Sequence, residues 1–192
     1  METELSRIDD MQEKELIQRF QGGESWAFDR LMEKHQKRVY RIALGMLGDH
    51  DSAADIVQEV FIRAFRSLKK FRRDSSLSTW LHRITVNLCI GEIRKRKVRN
   101  HLSLAGFTER LRSPIGRPAK DLDRKDDRQR IQRAVKKLPA RQRAIFVMRH
   151  DEELSHVEIA EVLKLSEGAV RASYFHALKK LREELGDHEQ DQ

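Results

Sequence analysis

Seven residues near the C-terminus combine side chains suited to reading a nucleic acid. Glu167, Gly168, Arg171, Ala172, Phe175, His176 and Lys179 recur at steps of one and three, which sets them on one outward face of a helix. Arg171 offers paired N–H donors of the kind that match a guanine edge, and it is the first candidate for a base contact. Gly168 and Ala172 keep the face low where a duplex must approach. Phe175 either touches a thymine methyl or fills a gap in the core. The opposite face carries Val170, Tyr174, Ala177, Leu178, Leu181 and Leu185, an apolar stripe that packs inward.

Such a face works only if a second helix presents it. Ser155-His156-Val157-Glu158 has the pattern of a capping box, so a helix starts there, carrying Val157, Ile159, Ala160, Val162 and Leu163. Lys164-Leu165-Ser166 then forms a short turn in which Ser166 caps the next helix, and small Ala160 lets the two approach closely. The arrangement predicts a helix-turn-helix whose second helix points its N-terminal end into a major groove. An ordinary antiparallel helix pair with a solvated charged face has the same pattern. Upstream, helical periodicity covers about 125–137, and Pro139 fits the first turn of a helix reaching about Arg149.

The N-terminal half reads as a second helical unit. A short helix, Glu13 to Phe20, stops at Gly22-Gly23, and a longer one with Ser25 as its cap ends at Gly48. Asp49 to Ser52 supply the next cap. Ile56, Val57, Val60, Phe61, Ala64, Phe65 and Leu68 then draw one buried stripe, with Asp55, Gln58 and Glu59 off it. Phe71 to Thr79 breaks the pattern with Asp74, Ser75, Ser76 and Ser78, either a helix-capping turn or a small polar binding loop. A further helix, about 78–98, begins with Trp80, carries Arg83, Asn87 and Arg94 near helical spacing, and ends in Arg94-Lys95-Arg96-Lys97-Val98-Arg99. Cations there complement the helix dipole, but five in six exceed that need and suit phosphates.

These elements leave almost no strand signal, so the fold class is all-α: two small helical domains, over 13–99 and 125–185, joined by a flexible linker over 100–124. Gly106, Ser113, Pro114, Gly116 and Pro118 gather in that linker. Charged residues are 36% of the 192 and hydrophobic ones 39%, a poor supply for one large core. The net charge of +8 favours polyanionic partners. Cys89 stands alone in an apolar stretch and reads as a packed thiol. The first twenty residues are too charged for a signal peptide, and no apolar run approaches the roughly 18 residues of a membrane span. Localisation is therefore expected to be cytoplasmic, without membrane insertion. Scattered histidines, the lone cysteine and a Gly22-Gly23 pair without a following lysine argue against an enzyme, a metal site or a cofactor.

Taken together the motifs resemble a known family. Leu138-Pro139-Ala140-Arg141-Gln142-Arg143 followed by the capped helix and Ser166 to Arg171 resembles the -35-reading domain of extracytoplasmic-function (ECF, group IV) bacterial RNA polymerase sigma factors. Asp55 to Phe61 is similar to that family's polymerase-docking helix. Phe71 to Ser75 with Thr79 to Ile84 and Asn87 is similar to its -10-reading loop and the helix behind it.

The resemblance implies a factor that binds core RNA polymerase at its clamp coiled coil and flap, reads promoter DNA and aids its melting. By it, Asp55, Gln58 and Glu59 meet the polymerase. Asp74, Ser75, Ser76, Thr79, Trp80, Arg83, Asn87 and Arg94 serve the -10 element, where a flipped base needs a close polar pocket. Glu167, Gly168, Arg171, Ala172, Phe175, His176 and Lys179 serve the -35 element. The linker would thread toward the active-site and RNA-exit channel. The middle domain and acidic N-terminal extension of larger sigma factors have no counterpart here, which implies control by an anti-sigma factor. Ser173 and His176 depart from the arginines common in the family, so the -35 preference is expected to differ.

Overall fold

The computed structural model describes residues 12–104 and 122–186, with side chains over 12–100 and 129–186. All regular structure among the described residues is helical. The helices are α1 (Glu13–Gln21), α2 (Trp26–Leu47), α3 (His50–Leu68), α4 (Leu77–Leu104), α5 (Leu122–Lys137), α6 (Ala140–His150), α7 (His156–Leu163) and α8 (Glu167–Gly186). Most of the expected linker, 105–121, lies outside the described residues.

Local chemistry sets most of these boundaries. Gly48 takes a left-handed conformation (φ 63°) and its N–H closes α2 on the Leu44 carbonyl, as only glycine does without strain. Asp49 then caps α3, accepting the Ser52 N–H at 3.2 Å. Ser25 precedes α2 as expected but makes no capping bond, because its own backbone is already helical (φ -63°, ψ -33°). Pro139 stands one place outside α6 rather than within its first turn. Its ψ of 140° is extended, while its carbonyl accepts the first helical bond from Arg143 N–H at 2.9 Å.

Helix α4 runs past its expected end at Val98 to Leu104. No glycine or proline occurs between Val98 and Leu104 to stop it, and Glu92 pairs with Arg96 one turn on at 3.0 Å. In the N-terminal core, Phe28 packs against Phe20 and Phe65 with ring centroids 5.3 and 5.1 Å apart. The second pair is edge-to-face, at 87°, and such pairs add about 0.5–1.5 kcal/mol beyond area burial. Phe65, expected to be buried with the stripe, is 46% exposed, because it caps the aromatic cluster from outside. Cys89 is fully buried and forms no disulfide.

The two groups of helices lie against each other, α2 on α6 and α4 on α7. Arg143, buried at the α5–α6 corner, donates to the Met46 carbonyl of α2 at 2.8 Å and to the Leu138 carbonyl at 3.2 Å. One guanidinium thus serves the carbonyl-rich ends of two helices, where a cation is favoured.

Candidate nucleic-acid interface

The C-terminal face is assembled as its sequence demands. Ser155 and Glu158 complete a capping box at the start of α7, and Lys164 ends the helix in a left-handed conformation (φ 53°). The Leu165 N–H returns to the Ala160 carbonyl at 3.0 Å, and Ser166 Oγ accepts the Ala169 N–H at 3.2 Å to launch α8. Val170, Ala177 and Leu181 are buried, and Tyr174, Leu178 and Leu185 are half-buried against the core.

Gly168, Arg171, Ala172, Phe175, His176 and Lys179 all face solvent, with Glu167 half-buried at the start of the helix. Phe175 is 64% exposed, its ring 5.9 Å from that of His176, so it fills no gap in the core. A side chain added at Gly168 would meet no atom within 4 Å, leaving a low saddle beside Arg171. Arg171 pairs with Glu167 one turn back on the exposed surface. Pairs of this kind contribute about 0.3–0.5 kcal/mol, so the guanidinium is only weakly held.

A second surface surrounds the loop from Phe71 to Trp80. Gln21, which sequence reasoning overlooked, pins the loop's start by donating from Nε2 to the Leu68 and Phe71 carbonyls at 3.1 and 3.2 Å. A glutamine at a helix end carries no sequence signal for such a role. Trp80 is half-buried with its ring 5.1 Å from that of Phe71, and Arg73 turns through φ 61°. Ser76 caps α4 by accepting the Thr79 N–H at 3.0 Å, and its hydroxyl meets that of buried Thr79 at 2.9 Å. These two residues build the loop, while Asp74 is exposed and Ser75 half-buried at its tip.

Behind the loop, Asn87, Arg94, Lys95 and Lys97 are exposed on α4, and Arg99, also exposed, lies 3.7 Å from Glu92. Arg96 is drawn away to Glu92 and Asp49, at 3.0 and 3.5 Å. Arg83 is committed elsewhere. It donates to the Glu161 and Val162 carbonyls of α7, at 2.8 and 3.2 Å.

A third surface lies on α3. Asp55 and Gln58 are exposed and Glu59 is half-buried, bonded to Arg63 at 2.6 Å. Exposed Ile62, absent from the sequence reading, continues their face one turn on, giving it an apolar end beside its acidic groups. No group of His, Cys, Asp or Glu suited to a metal, and no helix long and apolar enough to cross a membrane, occurs among the described residues.

The chain is similar to known proteins along nearly its whole length. Residues 31–99 match the Sigma-70 region 2 family and residues 128–181 the Sigma-70 region 4 family. The ECF RNA polymerase sigma factor SigW of Bacillus subtilis is 33% identical, over 93% of this chain and 99% of that protein. The RNA polymerase sigma-H factor of Pseudomonas aeruginosa is 31% identical, over 91% and 94%. In three dimensions the chain is similar to the sigma factor RpoE solved in complex with the anti-sigma factor NepR, from Bartonella quintana. The TM-score is 0.63 at 24% identity, covering 83% of this chain and 96% of that one. It is also similar to CnrH solved with the cytosolic domain of CnrY, with TM-score 0.65 at 24% identity, covering 90% and 96%.

Proposed function

The chain belongs to the ECF family of RNA polymerase sigma factors, and we propose that its three exposed faces divide the work of promoter-specific initiation. In this division the first domain spans 13–99, a connecting segment 100–124 and the second domain 125–185. The α3 face, Asp55, Gln58 and Glu59 with Ile62 one turn on, grips the clamp coiled coil of core polymerase. The second domain contacts the flap.

The loop before α4, with Trp80 and Asp74 at its mouth, takes up a -10 base while Asn87 and Arg94 hold the adjoining phosphates. Ser76 and Thr79 act there by shaping the loop. The outward face of α8 reads the -35 element, with Arg171 at a base edge, Phe175 against a thymine methyl, and His176 and Lys179 toward the backbone. The chain contributes binding energy rather than catalysis, uses no cofactor, and acts in the cytoplasm with the polymerase. An anti-sigma factor holds it in check, as the complexes of its structural neighbours suggest.

The observation that carries this reading is the outward face of α8, where Gly168 with open space above it is followed one and two turns on by exposed Arg171 and exposed Phe175. The test adds the purified chain to bacterial core polymerase on a library of genomic promoters. Transcripts starting at a restricted promoter set are expected. Normal affinity for core without any promoter-dependent transcript would refute the proposal.

A further inference from the structure

Helix α6 begins against the usual order of charge. Pro139 before it makes no side-chain capping bond, its first turn holds no acidic residue, and Arg141 and Arg143 stand where the helix dipole disfavours cations. The first bond of the helix is made by the Arg143 N–H, so the amides of Ala140, Arg141 and Gln142 have no acceptor within it. The preceding helix, α5, closes on Lys136 and Lys137. Together these features concentrate positive potential at one corner, with nothing in the local chain to offset it.

A cleft of about 750 Å³ opens at this corner, between the start of α6 and the basic end of α4. Six cations line it: Arg94, Arg96, Lys97, Lys136, Lys137 and Arg143, and no carboxylate does so among the described residues. Arg96 is compensated by Glu92 and Asp49, and Lys137 by Glu184. Arg94 and Lys97 are exposed without a described partner, and Lys136 reaches only the Gly48 carbonyl. Arg143 is 7% exposed. Its Nη atoms donate to the Met46, Lys136 and Leu138 carbonyls, while its Nε, also buried, has no partner. Burial pushes this guanidinium down from its ordinary pKa. A buried charge is costly until an opposite charge meets it, and here no described carboxylate does.

The remaining lining is apolar, from Leu47, Ile93, Leu138, Pro139 and Ala140. A bare inorganic anion would make no use of that wall. A cleft of this volume encloses a whole small ligand, and cations beside an apolar wall suit one that joins clustered phosphates to a flat ring. We infer that the cleft is a binding site for a nucleoside triphosphate, its phosphates held by Lys97, Lys136 and the first amides of α6 and its base laid against Ile93 and Pro139. The site invokes neither polymerase nor promoter, so it stands or falls apart from the sigma-factor reading.

Titration calorimetry of the full chain with GTP tests it, without magnesium and at about 150 mM salt, where distant surface charges are screened. One molecule per chain is expected. Tripolyphosphate should bind roughly tenfold more weakly, for want of the buried ring, and guanosine alone should not bind measurably. Lys97→Glu and Lys136→Glu, both at exposed positions, should each weaken GTP at least about tenfold, with helical circular dichroism unchanged. The control is Lys69→Glu with Lys70→Glu. Arg96 bonds Ser52 at the start of α3, whereas these lysines follow its other end, about 25 Å away, so GTP affinity should stay within about twofold. Absence of saturable GTP binding overturns the site, and an equal loss in the control variant reduces it to diffuse charge. Tripolyphosphate as tight as GTP strikes out the nucleoside. A single-stranded oligonucleotide that GTP displaces, and that loses as much affinity as GTP to Lys136→Glu, would overturn the small ligand in favour of a nucleic-acid path.

Discussion

Ser155 and Glu158 satisfy each other's chain: the Ser155 N–H donates to the Glu158 carboxylate at 2.7 Å, and the Glu158 N–H donates to Ser155 Oγ at 3.2 Å. These bonds to the Ser155 backbone and hydroxyl hold the Glu158 carboxyl below the usual carboxylate range. The pair fixes the first turn of the helix that supports the reading helix. Ser155→Ala should lower the stability of the C-terminal domain by about 1 kcal/mol, the usual worth of such a cap. Chemical denaturation measures it, and an unchanged midpoint would show that tertiary packing alone sets this helix start.

His82 predicts how stability responds to acid. Burial, aided by the charge of Arg38 and by His35, pushes its pKa down to about 4, while Glu152 and Glu158 pull the other way. The folded chain then resists protonation that the unfolded chain accepts from about pH 6.5 downward. Stability is complete above that value and declines as pH falls toward 4, with about 2 kcal/mol lost by pH 5. Urea midpoints at pH 7.5 and pH 5 should separate accordingly, and His82→Gln should flatten the difference. A wild-type midpoint indifferent to pH in this window would mean that the imidazole finds water in the folded chain.

Base reading and backbone holding have different signatures on α8. Arg171→Ala should cost about 1–3 kcal/mol at one -35 position and little at others. Equal loss across all sequences in a binding panel would make Arg171 a phosphate contact. Phe175→Ala should weaken discrimination only where thymine is replaced, leaving the salt slope of binding unaltered, because an apolar contact releases no counterion.

On the first domain, Gln58→Ala with Glu59→Ala should weaken the affinity for core polymerase at least about fivefold, the effect of losing roughly 1 kcal/mol from an interface. Both side chains stand off the buried stripe, so thermal unfolding should barely shift. Unchanged affinity for core would move the docking face elsewhere on the chain.

Elements set by local chemistry were legible in the chain itself. The capping box at Ser155, the left-handed stop at Gly48 and the alternation of Val170 and Ala177 with exposed Arg171 and Phe175 all depend on neighbours within one or two turns. The seam between the domains was not legible. Asp151-Glu152-Glu153 looks like a solvated acidic turn, and nothing in one sequence links Glu152 to arginines more than a hundred residues away. Gly45 within α2 leaves room for Val147, whereas Gly91 within α4 faces open space, so a glycine in a helical pattern did not by itself mark the contact. Ser25 shows the opposite failure: a favourable cap residue whose backbone had already entered the helix.

Burial of Cys89 has a use at the bench. Its surroundings push the thiol up to about 12, so at neutral pH almost none of it is the reactive thiolate, and reagents reach it only when the surrounding helices separate. Because the chain holds one sulfhydryl, each alkylation event would count one excursion of the N-terminal bundle to its unfolded state. The molecule carries its own clock for that opening, with no label to install.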